Sequence, residues 1–188
     1  MKKRWFILAV LSLMITLCSC SAKTSNDDIY SKIHNLYYDM NSYSASCTVT
    51  AFTPGGENTY NCDIHYDKKS GNYDVLSEDM RIILTKDKTI ITKGQNSIES
   101  PSIPGDMYIF INTFFKSYYE SEDTSVSVSS AKESETVLLE CSALNPTDYI
   151  TSMKLWINSK SAMPHKMQVM GSDEKVNTEI VFNKFLFE

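Results

Sequence analysis

Three histidines, five cysteines and several groups of carboxylates are the side chains of this sequence with the chemistry for catalysis, metal binding or covalent modification. Their spacing decides which use is open to them. His34, His65 and His165 stand far apart, and none has a partner at the i, i+4 spacing by which one helix presents two imidazoles to zinc. His65 falls in the polar phase of an alternating run and His165 follows Pro164 at a turn, so both read as solvated surface residues. There is no Gly-x-Ser-x-Gly elbow, no phosphate-cradling glycine loop, and no Cys-x-x-Cys beyond residue 20. The acids of Asp27-Asp28, Glu120 to Asp123 and Asp173-Glu174 fall at expected helix ends or turns, where solvated carboxylates are ordinary. The expectation is a protein that is not an enzyme, with no catalytic residue, no metal site and no cofactor.

The cysteines point to different chemistry. Lys2, Lys3 and Arg4 form a positive start, and Trp5 to Leu17 is apolar apart from Ser12 and Thr16. That run is shorter than the roughly 20 apolar residues a membrane-spanning helix needs and suits the core of a signal peptide. It ends in Leu17-Cys18-Ser19-Cys20, which resembles the bacterial lipobox: an aliphatic residue, a variable one, a small one, then the acylated cysteine. Cys20 follows small Ser19, whereas Cys18 follows bulky Leu17, so Cys20 is the better acceptor. A diacyl or triacyl cysteine carries at least two chains, enough for stable anchoring. The expected organisation is a lipoprotein signal peptide over 1–19, a lipidated tether over 20–26 and a single domain over 27–188. The product is exported and held to the outer face of a bacterial membrane.

Removing that segment leaves 169 of the 188 residues, enough for one well-buried domain. The whole chain carries a formal charge of −5, and loss of the three positive residues takes it to −8. An acidic domain without a basic cluster is a poor match for nucleic acid or anionic lipid. Its membrane contact is expected from the lipid alone.

The patterning of the domain is mixed. Ile29, Ile33, Leu36, Tyr37 and Met40 recur at helical spacing, and Ser25 to Asp28 suit a helix start, which predicts a helix from about Asp27 to Met40. The period then becomes two. Ala45, Cys47, Val49 and Ala51 form one apolar set and Tyr60, Cys62, Ile64 and Tyr66 another, with Pro54-Gly55-Gly56 between them, which is a hairpin signal. Strands follow around 73–76, 81–84 and 89–92. Between Pro104 and about Tyr119, the residues Met107, Phe110, Ile111, Phe114 and Tyr118 form an aromatic stripe that predicts a second helix. Phe110, Phe114 and Tyr118 either fill the core or line a cavity. Strands return at 125–129, 136–143, 152–158, 165–170 and 176–187. In the last, the inward phase slips near Asn183, as a bulge would cause.

Some nine strands joined by short turns, with two helices to cover their apolar face, predict an α+β fold. Its sheet is antiparallel and strongly curved, an incomplete β-barrel with helices packed on the concave side. Cys47 and Cys62 share the apolar face and lie about equally far from the turn, so they oppose each other within disulfide range. A bridge and two buried thiols are both open, with Cys141 a third inward-facing cysteine.

The order of elements carries a resemblance. A helix runs into "MNSYSASCTVTAFT", and near the end stands "MKLWINSKSAMPHKMQVMGSDEKVNTEIVFNKF". This resembles the lipoprotein-carrier fold of LolA and LolB, in which a Leu-Trp-Ile/Val-Asp-like strand leads through a proline turn. Leu155, Trp156, Ile157, Asn158 and Pro164 are the counterparts. Within that fold, an anchored chain with a short polar tether is similar to the clostridial germination lipoprotein GerS and its relatives. The resemblance implies a non-enzymatic partner that binds the cortex amidase CwlD and promotes its activity and zinc binding. Muramic-δ-lactam then forms in the spore cortex, and the chain sits at the forespore membrane facing the cortex. The metal would belong to the amidase. The alternative implied by the same fold is a LolB-like anchored acceptor of acyl chains or lipoproteins. Oligomeric state is left open, a homodimer included.

Overall fold

In the computed structural model, residues 26–101, 108–131 and 134–188 are described. The signal segment, Cys20 and most of the tether lie outside them, as do Pro104 and Met107. The chain falls into two units, residues 1–31 and 32–188. Helix α1, Asn26–Tyr38, begins in the first and continues in the second. It stops two residues short of the expected end, and Met40 is buried from beyond the helix, beside Ile33 and Tyr37 on the apolar side.

Among the described residues eleven strands follow, against the nine or so expected. They are β1 Ser42–Thr53, β2 Gly56–Asp67, β3 Asn72–Ser77, β4 Met80–Leu84, β5 Lys88–Lys93, β6 Asn96–Pro101, β7 Thr124–Ala131, β8 Ser134–Thr147, β9 Ile150–Asn158, β10 Pro164–Met170 and β11 Val176–Phe187. Helix α2, Ile111–Glu120, stands between β6 and β7. All eleven strands form one antiparallel sheet in the order β6-β5-β4-β3-β2-β1-β11-β10-β9-β8-β7. The first six strands meander outward from β1 to one edge. The last five meander inward from the other edge to β11, which pairs with β1. The link carrying α2 therefore joins the two edges, and the helix is laid across one face.

That face is curved around it. The Tyr108 hydroxyl donates to the Asn145 carbonyl of β8 at 3.2 Å. Two residues later Phe110 stacks on Tyr73 of β3, with ring centroids 3.9 Å apart. Six strand spacings separate β3 from β8, about 29 Å in a flat sheet. One short segment touches both only because the sheet bends toward it. The sheet stays open, with β6 and β7 as its edges.

Two details of register follow from local chemistry. The Lys68 N–H donates to the Asn41 carbonyl at 2.7 Å, which makes every odd-numbered position of β1 a hydrogen-bonded pair with β2. The even, polar positions are the closer-set pairs, and their side chains bond across the strands. Ser46 donates to Asp63 at 2.5 Å, Thr48 donates to Asn61 at 2.8 Å, and the Thr50 and Thr59 hydroxyls meet at 3.0 Å. In β11, Lys184 pairs with Ser46 and Phe182 with Cys47, so Asn183 is the extra residue of a bulge, as the phase slip predicted. Beyond it Phe185 turns inward and is buried.

The second helix differs from its expected extent. Residues 108–110 precede it in a turn, and α2 starts at Ile111, one residue after Phe110, whose extended backbone forms its boundary. Strand β6 was absent from the sequence reading. It holds a single large apolar residue, Ile98, and exists by pairing with β5.

Candidate functional site

Phe110, just before α2, and Phe114 and Tyr118, within it, are all buried. Phe114 stacks against Tyr118 at 6.0 Å and meets Phe115 edge-on at 5.4 Å. Phe115 stacks on Tyr37 of α1 at 4.1 Å, and Phe185 stacks on Tyr43 at 5.1 Å. Tyr37 donates to the Ala162 carbonyl at 2.9 Å, tying α1 to the β9–β10 turn. These rings are packing partners of one another.

Cys47 and Cys62 stand directly opposite each other. Both are buried free thiols, as is Cys141. Burial pushes Cys62 up to about 11 and Cys141 to about 12, and it raises Cys47 further with help from its neighbours Cys62 and Asp63. A thiol so protonated is a weak nucleophile. Of the histidines, His65 is exposed and lies 3.7 Å from Glu188. His34 is half-buried against Tyr38 and Tyr119. His165 is exposed on β10, and partial burial with Lys166 beside it lowers its pKa.

Two of the concavities formed by the described residues bear on function. A shallow one of about 420 Å³ lies on the outer face, over Ser44, Asp63, His65, Arg81 and Lys184. Asp74, also in its lining, accepts two hydrogen bonds from Arg81 at 2.9 and 2.5 Å, which hold its carboxyl below the usual carboxylate range. The second is larger, about 640 Å³, and mainly apolar. It opens at one end of the sheet among the β1–β2, β8–β9 and β10–β11 turns, over Phe52, Tyr60, Tyr108, Ile109, Tyr149 and Val169. Sequence reasoning missed it. Tyr60 keeps the inward phase expected of it, opposite buried Val49, but is 42% exposed near the end of the sheet, and Tyr149 in the β8–β9 turn is 76% exposed. The available signal was an aromatic residue in a two-residue turn, Asp148-Tyr149, where a polar one is usual. Among the described residues no three His, Cys, Asp or Glu side chains cluster as a metal site. No helix of those residues is long and apolar enough to cross a membrane.

An open, curled antiparallel sheet with helices on its inner side defines the class. Within that class the chain belongs to the YdcC-like family of sporulation proteins, whose profile it matches over residues 1–188. Among solved structures it is similar to a conserved protein from Thermus thermophilus, with 10% identity, 86% of each chain covered and a TM-score of 0.52. It is also similar to GerS in the structure of the CwlD amidase from Clostridioides difficile in complex with the GerS lipoprotein. There the identity is 21%, the coverage 89% of this chain and 99% of that one, and the TM-score 0.51. A LolA superfamily protein from Nitrosomonas europaea matches at 10% identity over 86% and 93% of the two chains, with a TM-score of 0.47. At such identities the likeness is one of fold. No curated protein matches the chain significantly.

Proposed function

We propose that this chain is a membrane-anchored, non-catalytic lipoprotein that binds and activates a spore-cortex N-acetylmuramoyl-L-alanine amidase of the CwlD type, in the service of cortex modification and germination. The observation that carries the reading is a pairing of two facts. The chain belongs to a sporulation family, and it shares its fold over nearly its whole length with a lipoprotein crystallised on such an amidase. The buried rings of Phe110, Phe114 and Tyr118 support it against a carrier, because they occupy part of the curve in which an acyl chain would otherwise lie. The proposed organisation is a signal peptide over 1–19, lipid on Cys20, a tether over 20–26 and one domain over 27–188. The anchored chain faces the cortex from the forespore membrane and holds its partner there.

Co-expression with each CwlD-type amidase of the same genome tests the reading. The expected result is co-purification of one of them and a gain in its activity on cortex peptidoglycan. A chain that binds none of them and instead carries lipid in native mass spectra belongs with the acyl-chain acceptors. Fatty-acid labelling tests the anchor: incorporation should vanish in Cys20→Ala, and the chain should leave the membrane fraction.

A further inference from the structure

The end of the sheet that holds the apolar groove is cross-tied. The Ser172 N–H and the Ser172 hydroxyl both donate to the Asp148 carbonyl at 3.1 Å. The Asn177 side-chain amide donates to the Tyr149 carbonyl. The Thr151 hydroxyl lies 3.2 Å from the Met170 carbonyl and 2.9 Å from that of Gly171. Gly171 belongs to this arrangement, because a Cβ there would meet Asn177 Nδ2 at 2.6 Å. The β8–β9 turn is therefore fixed to the β10–β11 end through the backbone carbonyls of Asp148 and Tyr149.

What they hold out is aromatic. Tyr149 projects from the first turn and Tyr60 stands across the groove from β2, both exposed. Tyrosines presented on a rigid support beside an apolar depression are the usual anchors of a protein interface, because little side-chain or loop freedom is lost on binding. The rim is acidic. Asp148 and Asp173 line the groove. Glu57, at the start of β2, and Glu174, in the β10–β11 connection, are exposed beside it. The single lysine of these turns, Lys175, is already paired with Asp173 at 2.7 Å.

We infer that this groove docks a protein partner that inserts a large apolar side chain flanked by lysine or arginine. The inference rests on the amidase reading above and assigns the surface through which that partner is held. The apolar floor and fixed tyrosines receive the side chain. The uncompensated carboxylates of the rim select basic neighbours and steer the encounter, with a salt dependence that an apolar contact alone would lack.

The test is a binding titration of the full-length chain and its variants against the CwlD-type amidases of the same genome, at low and high salt. Tyr149→Ala and Asp148→Lys change exposed side chains whose backbone carbonyls alone make the cross-ties, so folding is retained and circular dichroism checks it. Leu186→Ser, exposed on the outer face, is the control. The expected result is at least a tenfold loss of affinity for each groove variant, none for the control, and a salt-sensitive loss for Asp148→Lys. Equal binding by all four chains overturns the docking site and leaves the amidase reading standing. No binding by the unaltered chain overturns both. Lipid retained by the unaltered chain and displaced by Tyr60→Asp would give the groove to an acyl chain. A dimer that Tyr149→Ala dissociates would give it to a second copy. Either result overturns the assignment to a protein partner.

Discussion

At the scale of single residues, the inward-facing thiols behave as core and respond to pH accordingly. The unfolded chain ionises its cysteines near the ordinary value of about 8.5, whereas the folded chain holds the protons of Cys62 and Cys141 to about 11 and 12. The stabilisation is complete below the unfolded value and is lost as pH rises through roughly 9 to 12. Urea midpoints should fall from pH 8 to pH 10, and the fall should be shallower in Cys141→Ala. A midpoint that moves equally in both chains would contradict this. In the folded chain at pH 8, Cys47, Cys62 and Cys141 should resist alkylation. After unfolding without reductant, three adducts mean free thiols. One adduct, at Cys141, means that oxidation has closed the Cys47–Cys62 pair, which its facing register permits.

Among the elements, β11 shows how a strand serves two neighbours. Its bulge leaves every partner on β1 in place and inserts only Asn183. Removing that residue joins Phe182 to Lys184 without changing any pairing, and Phe185 and Phe187 keep their inward phase. The expected cost of deleting Asn183 is about 1 kcal/mol, the worth of its 3.0 Å hydrogen bond to Thr48 Oγ1. The deletion should therefore unfold cooperatively, with a urea midpoint close to that of the parent. A molten or aggregated product would mean that the bulge sets the curvature of the sheet and is more than an accommodated insertion. Helix α2 is the opposite case. It bonds no strand ladder and has no side-chain cap at its start, so its place depends on its buried rings.

For the whole molecule, those rings decide between a packed interior and a hollow one. Phe114 is fully buried where α2 meets the sheet. Truncation to Ala removes most of a ring from a close-packed site and should cost about 3–5 kcal/mol in chemical unfolding. A loss well under 2 kcal/mol, together with new uptake of an apolar dye, would indicate a cavity wall. The two open edges complete the picture: β6 carries one large apolar residue and Pro101, features that weaken an edge as a template for further strands.

Much of this architecture was legible in the residues. The alternation of Ala45 to Ala51 with Ser44 to Thr50, the Pro54-Gly55 turn and the phase slip at Asn183 all fix local geometry through contacts within a few residues, so the sequence determined the hairpin, the facing cysteines and the bulge. It determined the aromatic stripe of α2 as well, although residues 108–110 proved to precede the helix. Strand β6 was illegible because one isoleucine sets no period, and only its hydrogen bonds to β5 make it a strand. Whether Phe110, Phe114 and Tyr118 fill space or enclose it depends on Tyr37, Tyr43, Tyr73 and Phe185, which come from four other elements. The groove at the end of the sheet is likewise a product of three turns distant in the chain. Tertiary structure alone decided both, because periodicity reports which side of an element is apolar and says nothing of what meets it.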